Sequence, residues 1–165
     1  MALSRSVLIP LAAALALAAC GQPAAAPPSA EPPVAAPPAP MPEPALALSA
    51  LTEADIAANP VDGELACGFA TEAGTMLLAK GLVSSTEPAQ GLIKAGGVVQ
   101  RLTAPGGFDG MLKGASFTGA GATVTIAVTG PATGGGESPP SPATLTYAPS
   151  GGQSVTLPGS WTCGP

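Results

Sequence analysis

Histidine is missing from all 165 residues of the chain. Its absence removes the usual general base near neutral pH, the Ser-His and Cys-His nucleophile pairs, and histidine-ligated zinc or haem. Positive charge is scarce as well, with five Lys plus Arg against ten Asp plus Glu and a formal net charge of −5. Nucleic-acid surfaces need cations to neutralise phosphates, so no nucleic-acid partner is expected. Charged residues are 9% and hydrophobic residues 46% of the chain, the reverse of a charged disordered tail. What abounds is small and turn-forming: 22 Gly and 21 Pro. These are unevenly spread, because residues 21–50 hold 10 of the prolines together with 10 alanines. The chain therefore reads as segments: 1–19, 20–45, 46–61 and 62–165.

The first segment carries Arg5, then an apolar run from Val7 to Ala19, then Cys20 and Gly21. A basic residue, a short apolar core and small residues at its end form a secretory signal peptide. Thirteen residues rise only about 20 Å as a helix, too short for a hydrocarbon core of about 30 Å. Pro10 inside the run argues further against a span. The end of the run, Leu17-Ala18-Ala19-Cys20, resembles the lipobox of bacterial lipoproteins. The resemblance implies cleavage between Ala19 and Cys20, diacylglyceration of the Cys20 thiol and acylation of the new amino group. Two or three acyl chains, at about 0.8 kcal/mol per buried methylene, give firm attachment to a membrane. Gly21 stands where lipoproteins retained at the inner membrane usually carry Asp, which implies a lipid-anchored envelope protein sorted to the outer membrane.

From Gln22 to about Ala45 the chain runs in Ala-Pro repeats with Pro-Pro at 27–28, 32–33 and 37–38. Proline lacks an N–H and pushes its predecessor towards extended backbone, so neither helix nor sheet is expected here. A disordered, polyproline-II-like tether follows, rising about 3.1 Å per residue and reaching on the order of 70 Å. Its only charges are Glu31 and Glu43, with no aromatic, which favours a spacer over a ligand for a proline-binding module.

Between 46 and 61 lies a short helical bridge: Thr52 is placed to cap, Glu53 and Asp55 fall in the first turn, and Asn59-Pro60 ends it. Residues 62–165 read as strands punctuated by glycine. Thr123 to Thr129 alternates over seven positions. Leu65–Phe69, Leu92–Lys94, Val98–Leu102, Thr144–Tyr147 and Ser154–Leu157 are further strands. Ala95-Gly96-Gly97 and Pro149-Ser150-Gly151-Gly152 are the hairpin loops between two of these pairs. Met76–Lys80 is strand or helix by pattern, bounded tightly by Gly74 and Gly81. Gly130–Pro142, with four glycines and four prolines, is a loop. Six or seven short strands predict an all-β domain, a small antiparallel barrel or sandwich. Its aromatics are only Phe69, Phe108, Phe117, Tyr147 and Trp161.

With Cys20 assigned to lipid, Cys67 and Cys163 remain, near the two ends of the domain in an exported and disulfide-permissive compartment. Neither CxxC nor histidine accompanies them, so a disulfide is expected rather than a metal or redox site. No cofactor and no metal is expected. Asp62 with Glu64 or Asp109 could form an acid pair, and Lys113 with Ser116 a dyad in the reverse order of SxxK. Solvated surface is the commoner fate of such residues, so a non-catalytic domain is expected. A protein partner in the envelope would meet the loop Pro105–Ala120, which groups Phe108, Asp109, Lys113, Ser116 and Phe117 among glycines.

Ala115-Ser116-Phe117-Thr118-Gly119-Ala120 and Ala143-Thr144-Leu145 resemble the loop and late strand of the membrane-bound inhibitors of C-type lysozyme. That family has a small antiparallel barrel and a terminal disulfide on a lipoprotein. The resemblance implies, as the alternative function, inhibition of a lysozyme-type hydrolase.

Overall fold

The computed structural model describes residues 47–165. The expected signal peptide, the expected lipidation at Cys20 and the expected Ala-Pro tether lie outside the described residues. Nine strands follow in chain order: β1 (Leu48–Ser49), β2 (Leu65–Thr71), β3 (Gly74–Gly81), β4 (Ala89–Ala95), β5 (Val98–Ala104), β6 (Ser116–Gly119), β7 (Ala122–Val128), β8 (Ser141–Pro149) and β9 (Val155–Gly164). One helix, α1 (Glu53–Ala58), lies between β1 and β2, and a single 3-10 turn spans Asp109–Met111. Met76–Lys80, open by pattern between strand and helix, lies within β3.

Strands β2 to β9 pair antiparallel in sequence order, and β9 returns to β2. The domain is thus a closed eight-stranded up-and-down barrel, not a sandwich, and closure pairs Ala66–Ala70 with Ser160–Gly164 along the two edges that an open meander would leave bare. Tight turns make this order cheap in chain length. At Gly96 and Gly97 φ is +59° and +79°, the pair of positive angles that a two-residue hairpin turn requires.

Cys67 and Cys163 are bonded, and they face each other across the seam between the first and last barrel strands. This is the disulfide expected from the sequence, and such a bond belongs to an oxidising, extracytoplasmic setting.

Inward residues fill the barrel. Phe69, Leu77, Ile93, Phe117, Val124 and Leu145 are fully buried, with Tyr147 and Trp161 nearly so. Two large rings need glycine across from them: a β-carbon on Gly91 would lie 3.1 Å from the Phe117 ring, and one on Gly159 only 2.6 Å from that of Phe69. The register slips between Phe69 and Ala70, leaving Met76 as an extra residue on β3. That bulge lets the neighbours Met76 and Leu77 both turn into the core, which strict alternation would forbid.

The segment before β2 covers part of the outside. Leu51, Val61 and Leu92 form a second buried cluster, joined by Ile56, Leu78 and Val99. Thr52 caps α1 in a capping box with Asp55, each accepting from the other's backbone N–H. Asp55 also takes Lys94 Nζ of β4 at 2.9 Å, so one carboxylate both starts the helix and fastens it to the barrel. Lys94 first, and then the Thr52 backbone and hydroxyl, hold the Asp55 carboxyl down to about 2 from 3.8.

Candidate functional site

The barrel has two unlike ends. One carries the tight turns β2–β3, β4–β5, β6–β7 and β8–β9. The other carries the longer connections 82–88, 105–115 and 129–140.

The loop end holds the residues expected to meet a partner. Connection 105–115 folds back under the barrel as a plug, with Met111 fully buried and Phe108 7% exposed. Trp161 Nε1 donates to the Met111 carbonyl at 2.8 Å and fixes the plug from inside. Asp109 accepts from the Ser84 backbone N–H at 2.7 Å, and Glu64 accepts from Val83 N–H at 2.9 Å. Ser84 sits at φ +52°, a left-handed backbone that a non-glycine residue holds only with outside support, and Asp109 supplies it.

Phe108 and Asp109 are therefore engaged in loop structure, while Lys113 and Ser116 are exposed. No hydrogen bond joins Asp109, Lys113 and Ser116 among the described residues, so geometry does not assemble the reversed Ser-Lys dyad. Asp62 makes no side-chain hydrogen bond among the described residues, and Glu64 accepts from the Val83 amide. No group of three metal-ligating side chains occurs among the described residues. The stretches likened to the lysozyme inhibitors lie around β6 and on β8. Their largest side chains, Phe117 and Leu145, point into the core.

At the turn end the wall is incomplete. Strand β9 pairs with β8 from Val155 to Trp161, but with β2 only from Ser160 onward. Between the free half of β9 and the β2–β3 turn opens a groove of about 980 Å³. Its floor and walls include Leu48, Met76, Leu157 and Pro158, and Glu72 is the one charged residue lining it. β1 explains the width. It takes β3's place beside β4, at Leu48↔Ala95 and Ser49↔Lys94, while the start of β3, up to its bulge at Met76, does not pair with β4.

Sequence reasoning does not reach this groove. Its one local signal is Pro158, a proline inside a strand, which marks a free edge. The expected strand Ser154–Leu157 stops one residue short of it.

Comparison with protein-family models, curated proteins and solved structures returns no match for the chain. The fold stands on its own geometry: a small, disulfide-closed, eight-stranded antiparallel barrel with a filled interior.

Proposed function

We propose that this chain is a membrane-anchored envelope lipoprotein, held by acyl chains on Cys20, whose barrel is a non-catalytic binding or structural module. The observation that carries the reading is the Cys67–Cys163 bond across the barrel seam, which fits the exported compartment that Leu17-Ala18-Ala19-Cys20 addresses. The filled interior supports a wall-and-groove role over an internal ligand chamber, because small barrels hold a ligand only when side chains leave room. The carboxylates best placed for chemistry, Glu64 and Asp109, are occupied as acceptors for backbone amides. Binding through exposed edges and loops is what remains for such a module.

The test is fractionation with fatty-acid labelling. The chain should incorporate label and sediment with outer membrane, and Cys20→Ser should lose both. A Cys20→Ser variant that stays membrane-bound and uncleaved overturns the anchor. Hydrolysis of peptidoglycan or ester substrates by the purified chain overturns the non-catalytic reading.

A further inference from the structure

We propose that the groove at the turn end docks an extended peptide strand from a protein partner, which adds to the free edge of β9. The proposal deepens the binding-module reading and rests on it. Its basis is the direction of the unpaired main-chain groups.

Cys67 and Cys163 have their Cα atoms 4.1 Å apart, the spacing of a non-hydrogen-bonded antiparallel pair. Alternation then sends the main-chain groups of Thr162 and Ser160 towards β2, and those of Pro158 and Thr156 to the same side. The other seam agrees. Thr129 N–H donates to Pro142 O, so even-numbered residues of β8 face β7. Thr146↔Thr156 is therefore a pair whose main chains point apart, with the two hydroxyls meeting at 2.9 Å.

Pro158 thus presents a carbonyl to the groove, and Thr156, just past its lining on the same edge of β9, an N–H and a carbonyl, where β2 is no longer paired to receive them. One donor and two acceptors in a row match the backbone of another strand. An acyl chain would satisfy the apolar floor of Leu48, Met76 and Leu157 but none of these groups. The free half of β9, Val155–Gly159, is about 17 Å long, room for a strand of five or six residues. Pro158 has no N–H, so pairing is strong at Thr156 and single-bonded beyond it, which fixes one register. Small or apolar side chains suit the floor, and a basic residue suits Glu72 on the rim.

The probe is a synthetic hexapeptide, acetyl-Lys-Val-Thr-Val-Thr-Val-amide, added to the full chain in detergent micelles. The readouts are binding and hydrogen exchange at the Thr156 amide. Exchange at that amide should be fast in the free chain and slow at least tenfold at saturating peptide. A version of the peptide N-methylated at every residue, which leaves neither edge a donor, should lose binding. Thr156→Pro should abolish binding, while Thr156→Val, which keeps the N–H, should leave it within about threefold, with both melting temperatures recorded.

If Thr156→Pro does not fold, the N-methylated peptide carries the same distinction. Equal binding of the N-methylated peptide would mean an apolar groove without strand addition, and overturns the proposal. So does a Thr156 amide already protected without peptide, whether by another part of the chain or, if protection rises with concentration, by a second copy. Absence of binding at millimolar peptide overturns it too. None of these readouts depends on Cys20, so failure of the anchor and failure of the groove are separate results.

Discussion

Removing the disulfide tests how the barrel is closed. The bond joins strands that are first and last in the barrel, 96 residues apart. On the chain-entropy model that loop restricts the unfolded chain by about 4.7 kcal/mol at 25 °C. A domain of this size has a total stability of roughly 6–18 kcal/mol, so the bond is a large fraction of it. With an unfolding entropy of roughly 0.25 kcal/mol/K for 119 residues, the loss corresponds to a melting point lower by about 15–20 °C. Cys67 is buried, so the double variant Cys67→Ala, Cys163→Ala is preferable to serine, which would place a hydroxyl in the core.

The assay is urea unfolding followed by circular dichroism, with wild type run oxidised and reduced. Reduced wild type and the double variant should unfold at similar urea, well below the oxidised chain, with the same sheet spectrum before the transition. A shift under about 1 kcal/mol would refute the reasoning. It would mean that the β2–β9 ladder and the Phe69–Trp161 pair hold the seam, or that the unfolded chain is already compact.

Three further outcomes follow from single side chains. Gly159→Ala pushes a methyl against the Ala70 carbonyl oxygen and the Phe69 ring and should cost about 1–3 kcal/mol in the same urea experiment, while Gly135→Ala, in open space, should cost almost nothing. Asp109→Ala removes the acceptor for Ser84 N–H and should destabilise by about 1–2 kcal/mol, whereas exposed Lys113→Ala should leave the melting point unchanged. The carboxyl of Asp55 is depressed in the folded state, so its contribution is complete above pH 3.8 and declines as pH falls towards 2. Asp55→Asn should flatten that part of the stability–pH profile in chemical denaturation across pH 2–5.

Alternation places β2 and β7, because side-chain direction along a strand is local and shows in the order of residues, and the apolar runs flanking glycine turns place β4, β5, β8 and β9. The glycine pair at 96–97 marks its hairpin for the same reason: the backbone angles required there exclude most other residues. The pairing of Cys67 with Cys163 is also legible once Cys20 is set aside as the expected lipid site, since the two remaining thiols leave one partner each. Closure is not legible. Barrel and sandwich share the same strands, and only the meeting of β9 with β2 decides between them, a contact between residues almost a hundred apart. Strand β6 is four residues long and takes its shape from pairing with β7, so no local period announces it. Asp109 reads as surface in sequence, yet the fold brings it to an amide 25 residues away. The groove is decided later still, where β1 displaces β3 and half of β9 is left without a neighbour on its β2 side, because an unpaired edge is a property of the sheet and not of any strand in it.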